Sequence, residues 1–274
     1  MSELLTRLLR AYGGLNATIE GLYAGLAGCA STVNASAMES EIQRFLPNAK
    51  RVRVRGDMFN ALYSLEGVRD GVSAIAGTGS GAFARVGKTL QRVGGWGYLI
   101  DDTGSGFDIG RRVLQSVLRA WDGRGEATLL TDLVTQALDG VAAWQAIPAI
   151  YQGGRAKIAS FAPLAFQAAD AGDRIAHMIV LHAGDAQAVL IQTAARNLPQ
   201  EEKPYLVVLC GGLWHAHGFQ EAVQARLGAD YALRLPSLPA VAGCLAAAAD
   251  LCGRSDRDML ERLSAQLDKE EVES

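Results

Sequence analysis

Apolar positions change their period several times along the chain, and each change marks a new element. Leu4, Leu5, Leu8 and Leu9 share one helical face over residues 3–12, and Gly13 and Gly14 end that helix. Residues 18–28, TIEGLYAGLAG, read as a buried strand entering a glycine turn. Residues 34–46 form a helix that Pro47 stops. Over 49–57 the period drops to two, with Arg51, Arg53 and Arg55 on one face and Val52 and Val54 on the other. Residues 58–67 are a short helix. The order α-β-α-β-α predicts parallel strands.

From Gly67 to Gly110 the texture changes, because these residues hold 12 of the 31 glycines. VSAIAG, GAFARVG and TLQRVGGWGYLI predict successive strands joined by tight turns. A helix then begins in the DDTGSGFDIGRR region. Its apolar face is Ile109, Val113, Leu114, Val117, Leu118 and Trp121, and Gly123 ends it. Residues 126–200 are mainly helical, with the longest element from about Asp173 to Leu198. Residues 205–215, YLVVLCGGLWH, are an apolar strand running into a Gly-Gly turn. A further strand, a proline-containing loop and an alanine-rich helix follow, and the tail is a charged helix. The expected organisation is 1–66 as a first lobe, 67–250 as a second lobe and 251–274 as the charged helix.

Composition narrows the class. The chain has 274 residues, 49% hydrophobic and 20% charged, enough for one large domain or two modest ones. The net charge of −3 does not suggest a nucleic-acid surface. Four well-separated cysteines without a CxxC pair predict reduced, structural thiols and argue against a zinc site. No run of 18 apolar residues suggests a spanning helix, and the N-terminus lacks the pattern of a signal peptide. The expected location is the cytoplasm, with no membrane and no nucleic acid as partner.

Four features carry candidate chemistry. Gly77-Thr78-Gly79-Ser80 follows a strand, and two glycines with two hydroxyls suit a phosphate chain approached by backbone. Gly211-Gly212 follows a second strand and lets a flat ligand lie against backbone. Asp57 follows a third strand. Asp101 and Asp102 precede another glycine turn. Taken singly, each has a commoner structural explanation: a hairpin turn, a strand-to-helix turn, a helix cap, a pair of solvated acids. His215 and His217, two apart, read as surface residues rather than a metal pair, and His177 and His182 as structural positions on the long helix. Trp96 and Trp121 read as core positions, and Arg111 and Arg112 as facing solvent or acids.

Their order is more specific than any one of them. A strand with Asp57, GTGS, GGWG, D-x-GSG, a helical region and a strand with GG resemble the second lobe of actin-like sugar kinases. The nearest likeness is to the N-acetylglucosamine kinase group of the BadF/BadG/BcrA/BcrD ATPase family, over roughly residues 15–250. IAGTGSGAFA resembles that group's second phosphate loop, and GGWGYLIDDTGSGFDIGRR its GGWGxxxGDEGSGxxIGRR signature. FAPLAFQAADAGD, LCGGL and LPSLPAVAGCLAAA resemble later landmarks.

The resemblance implies an α/β actin-like (ribonuclease H-like) fold with a truncated first lobe and an essentially complete second one. It implies ATP-dependent phosphorylation of an amino sugar such as N-acetylglucosamine at the 6-hydroxyl, with ATP and Mg2+. In that reading Asp57 is the general base. Gly77, Thr78, Gly79 and Ser80 hold the phosphates, Gly211 and Gly212 meet the adenosine, and Asp102, Gly104, Ser105 and Trp96 bind the sugar. No residue is assigned as a metal ligand, and the family implies a homodimer. Three positions depart from the pattern: Gly56 replaces the usual Asn, Asp101 a Gly and Thr103 a Glu. The family's DGGGTKT-like first phosphate loop and its three strands, on the order of thirty residues at usual strand lengths, have no counterpart after Met1. Two alternatives follow: a non-catalytic or incomplete remnant, and an ATP-hydrolysing switch that serves a partner protein. Dehydratase-activating relatives carry cluster-ligating cysteines, a spacing missing here.

Overall fold

The computed structural model describes residues 6–7, 10, 18–26, 29, 32–63, 70–87, 89–236, 238 and 240–254. The helix expected over 3–12 lies mostly outside these residues, as does the charged tail beyond 254. The chain divides into two compact units, one of Asp70–Leu235 and the other of Met1–Arg69 with Pro236–Ser274.

Within the second of these, β1 (Leu22–Leu26) and β2 (Val52–Gly56) pair in parallel, with Ala24 opposite Val54. Helix α1 (Thr32–Phe45) is the crossover between them, as two parallel neighbours require. It buries Ala35 and Ile42 beside Val54. The two-residue alternation of 51–55 holds in part: Val54 is buried and Arg53 exposed, and both Arg53 and Arg55 lie near Glu39 of α1. β2 runs into a 3-10 turn, Asp57–Tyr63.

The unit of Asp70–Leu235 is built on a five-stranded sheet. Its strands are β3 (Gly71–Ala76), β4 (Ser80–Val86), β5 (Thr89–Val93), β6 (Tyr205–Cys210) and β7 (Tyr231–Arg234), in the order β5-β4-β3-β6-β7. β3, β4 and β5 are an antiparallel meander, and β6 and β7 add in parallel to β3. The central strands are almost wholly apolar because both faces are covered: Val72, Ala74, Ala76, Val207, Val208 and Leu209 are all buried, with Ser73 the one polar side chain among them.

Among the described residues six α-helices complete this unit: α2 (Gly106–Trp121), α3 (Leu130–Ala137), α4 (Ala143–Ala159), α5 (Ala162–Asp170), α6 (Arg174–Ala195) and α7 (Phe219–Leu227). The long helix α6 begins at Asp173, whose side chain accepts the Ala176 amide as a cap, and it lays Ala188, Ile191 and Ala195 into the core. Trp214 is fully buried beside them and donates its indole N–H to the Ala74 carbonyl at 3.1 Å.

Two expectations need correction. The third strand does not reach Ile100 but ends at Val93. Gly94, Gly95 and Gly97 take φ of 68°, 72° and 106° and turn the chain out of the sheet. Trp121 and Trp96 are not core residues. They are 62% and 65% exposed, Trp121 stacked on Trp144 and Trp96 beneath the Arg92 guanidinium.

Candidate functional site

The site in the larger unit begins where β3 and β6 end. They are adjacent parallel strands, so both leave the sheet at the same edge, where open α/β sheets place ligands. β3 turns through Gly77-Thr78-Gly79 into β4, with Ala76 opposite Ser80 and the Gly77 N–H donating to the Gly79 carbonyl at 3.0 Å. β6 turns through Gly211, whose φ is 104°. A Cβ there would lie 2.5 Å from the Ala76 carbonyl oxygen, so only glycine brings the two turns this close. At Gly212 nothing stands within 4 Å of a Cβ, because that position faces open space.

That space is a cleft of about 630 Å3, the size that takes a small molecule. Gly77, Thr78 and Gly106 line one part, Gly212, Leu213, His215 and Ala216 another, and Ala159, Ala162, Pro163 and Phe166 form an apolar wall. The Cys210 thiol beside it has its pKa raised by burial, partly offset by its contact with the Ser73 hydroxyl. It is therefore not an activated nucleophile.

Neighbouring elements hold the β3–β4 turn. The N-terminus of α2 meets it, as the Gly106 amide donates to the Gly77 carbonyl at 2.7 Å and the Phe107 amide to the Thr78 carbonyl at 3.4 Å. Ser80 is buried and its hydroxyl donates to the Thr103 carbonyl at 2.9 Å. The amides of Thr78 and Gly79 have no partner among the described residues. The turn thus keeps two backbone donors uncommitted beside the exposed Thr78, an arrangement that suits an anion.

Behind it lies the 101–108 segment. Asp102 is 3% exposed with φ of 59°, a left-handed conformation rare for a residue other than glycine. Its carboxylate meets the Arg155 guanidinium at 2.9 Å. Gly104 and Ser105 do not present side chains outward. A Cβ on Gly104 would lie 2.8 Å from the Ala183 carbonyl of α6, and the Ser105 hydroxyl accepts the Asp108 amide as the N-cap of α2. Asp108 is buried, accepts the Gly104 amide at 3.1 Å, and pairs with Arg111 at 2.7 Å and Arg112 at 3.1 Å. Burial alone would raise its pKa, but the Gly104 amide and the two guanidinium groups outweigh that and hold it below the usual carboxylate range. Gln187 of α6 donates to the carbonyls of both Ile75 and Gly104, joining the end of β3 to this segment. Trp96 donates its amide to Asp101 at 3.2 Å.

The structure therefore brings together Gly77, Thr78, Gly79, Ser80, Asp102, Gly211 and Gly212. Asp57 lies in the other unit, exposed, at the first position of the 3-10 turn that follows β2. The histidines expected at the surface are there: His215 borders the cleft and His217 contacts Asp170 at 3.1 Å. His182 is exposed and meets Arg112 at 2.6 Å. Sequence reasoning missed Arg155. The available signal was Gly153-Gly154 just before it, a glycine pair inside a helical stretch. Gly154 has φ of 60° and ψ of −150° and breaks α4, so the following turn runs across α2. There a Cβ on Gly110 would overlap the Ile158 carbonyl oxygen, and glycine alone permits the crossing that sets Arg155 against the β3–β4 turn.

Among the described residues no helix is long and apolar enough to cross a membrane, and no group of three metal-binding side chains gathers. Comparison with known proteins agrees with the fold. An N-acetyl-D-glucosamine kinase of Dictyostelium discoideum is 31% identical over 204 residues, 71% of this chain and 63% of that protein. An N-acetylmuramic acid/N-acetylglucosamine kinase of Clostridium acetobutylicum is 30% identical over 213 residues, 75% of this chain and 69% of that protein. The chain therefore spans a little under two thirds of the first relative's length and a little over two thirds of the second's. The crystal structure of a candidate N-acetylglucosamine kinase from Chromobacterium violaceum superposes with a TM-score of 0.64 at 28% identity, covering 91% of this chain and 82% of that one. The architecture is thus the α/β actin-like type that the motifs implied. The sequence pattern of the BadF/BadG/BcrA/BcrD ATPase family matches residues 1–247, and the chain belongs to that family.

Proposed function

We propose that this chain is an ATP-dependent kinase whose acceptor is the 6-hydroxyl of an amino sugar such as N-acetylglucosamine. The observation that carries the reading is the pair of glycine turns at the ends of β3 and β6, which border one apolar cleft. The base and ribose of a nucleotide lie against Phe166, Pro163 and the Gly211-Gly212 turn. Its phosphates reach the unpartnered amides of Thr78 and Gly79. Gly77 and Ser80 shape that turn. The kinase names of the relatives support this choice of chemistry.

Asp57 is the general base. Its exposed carboxylate takes the proton of the acceptor hydroxyl as the oxygen bonds to the γ-phosphorus and ADP departs. Asp102 accepts hydrogen bonds from sugar hydroxyls, Gly104 and Ser105 set its backbone, and Trp96 offers an exposed ring to the sugar. A nucleotide-borne magnesium ion needs few protein ligands, because phosphate and water oxygens supply most of its coordination. Bound with the nucleotide, Mg2+ supplies charge neutralisation at the phosphates. The homodimer and the cytoplasmic location implied by the family belong to this proposal as well.

The test is an ADP-release assay with magnesium-ATP and a panel of hexoses and amino sugars. The expected outcome is turnover that depends on an amino sugar and falls on the order of a hundredfold or more in Asp57→Asn. No turnover with any sugar overturns the proposal, and ADP release indifferent to sugar favours the ATP-hydrolysing switch.

A further inference from the structure

Arg155 has an unusual inventory for a half-buried guanidinium that faces a buried carboxylate. It carries five N–H donors, yet its one hydrogen-bond partner among the described residues is Asp102, met through a single Nη2–Oδ2 contact of 2.9 Å. Its Nε is buried and has no partner. The guanidinium also stands 5.4 Å from the centre of the Tyr98 ring. On its other side Asp102 is in the same condition, since its buried carboxylate has no partner but Arg155 among the described residues. A guanidinium and a carboxylate frequently form a two-pronged pair. This one does not, which leaves donors on the cation and lone pairs on the anion unmatched.

The place of the pair explains what those donors serve. A Cβ on Gly79 would collide with Arg155 Nη2 and lie 2.9 Å from Asp102 Oδ2. The ion pair thus rests on the backbone of the β3–β4 turn, at the residue whose amide is unpartnered. An anion that reaches the Thr78 and Gly79 amides also reaches the guanidinium. Asp102 cannot serve that anion, because it carries the same sign of charge.

We propose that Arg155 is a phosphate ligand held in reserve by Asp102. On nucleotide binding the guanidinium passes from the carboxylate to the phosphate oxygens, and Asp102 is released to accept hydrogen bonds from the second substrate. The inference rests on the nucleotide reading of the same cleft. It adds a residue to it and a link between the two substrates: each occupant removes the partner that restrains the other's ligand, so each favours binding of the other.

Titration calorimetry on the full chain with magnesium-ATP and, separately, adenosine tests it. Arg155→Gln is expected to weaken ATP roughly ten- to a hundredfold, the range of charge-assisted hydrogen bonds, and to leave adenosine unchanged. Arg155→Lys, which keeps the charge but not the fork, recovers part of the loss. Asp102→Asn tightens ATP several-fold by removing the competing charge, and Arg155→Gln added to it abolishes that gain. Asparagine suits the left-handed backbone at position 102, so this variant keeps the turn intact. ATP affinity within twofold of wild type in Arg155→Gln overturns the proposal while the nucleotide reading stands. Equal weakening of adenosine overturns it as well, because Arg155 would then only support the cleft. Wild-type protein that binds adenosine but not ATP sinks the phosphate role, and protein that binds neither sinks both readings.

Discussion

Two aspartates flank the glycine turn that leads into α2 (Gly106–Trp121), and they are solved differently. Asp108 is buried with a full set of partners: the Gly104 amide, Arg111 and Arg112. Asp102 is buried with one among the described residues, Arg155, which itself has donors to spare. Burial costs a carboxylate its water in either place, so partners must replace it. Where replacement is complete, the group serves the fold. Where it is partial, in a segment that borders a cleft, the remaining capacity is what a ligand would use. Burial alone does not separate the two residues; the completeness of their hydrogen bonding does.

The largest effect that could break this comparison is on stability. Asp108→Ala leaves the Gly104 amide and two guanidinium groups without their acceptor. Hydrogen bonds to charged groups are worth about 1.5–3 kcal/mol each, but Arg111 and Arg112 are partly solvated and recover some of that from water. The expected loss of unfolding free energy is therefore about 2–3 kcal/mol rather than the sum. Asp102→Asn keeps an acceptor for Arg155 and a side chain suited to φ of 59°, so its expected loss is under about 1 kcal/mol. Urea unfolding of both variants decides it: equal losses would erase the distinction.

A smaller effect concerns acid. The Asp108 carboxyl titrates below its ordinary range: burial would raise it, and the Gly104 amide with Arg111 and Arg112 lowers it further than burial raises it. A depressed folded pKa contributes stability that is complete above the unfolded value, about 3.9, and disappears as pH falls through the folded one. Asp108→Asn removes the titration. The stability gap between wild type and this variant should be wide at pH 7 and should close below about pH 4. A gap that stays constant down to pH 3 would mean that the charge of Asp108 contributes nothing.

How much of this was legible in the sequence depended on whether the signal was local. β3 (Gly71–Ala76), β4 (Ser80–Val86), α2 and β6 (Tyr205–Cys210) follow from period and turn residues, because each is specified within its own window. The phosphate turn was legible for the same reason: glycines and hydroxyls sit together in one short string. The satisfaction of Asp108 was half legible, since Arg111 and Arg112 lie three and four residues on and a helix brings them to one face. Arg155 was not, because its relation to Asp102 crosses 53 positions and depends on a helix broken at Gly154. The exposure of Trp96 and Trp121 also escaped the pattern. An apolar helical face shows which residues align, not how far the neighbouring helix extends to cover them.

The smallest expected change in stability falls at the turn itself, and it sharpens the comparison most. Gly79 does not have a positive φ, so alanine fits its backbone. The obstacle is the end of the Arg155 side chain together with Asp102 Oδ2, and a long side chain swings aside at little cost. Gly79→Ala should therefore change unfolding free energy by less than about 1 kcal/mol. It should still weaken ATP several-fold and leave adenosine unaffected, because the methyl occupies the space where the guanidinium and the Gly79 amide converge. Denaturant unfolding beside calorimetry reads both quantities on one sample. A loss of 2 kcal/mol or more would place the turn with Asp108, as part of what holds the unit together. Unchanged stability with unchanged ATP affinity would show that the convergence of Arg155 on this turn has no part in binding.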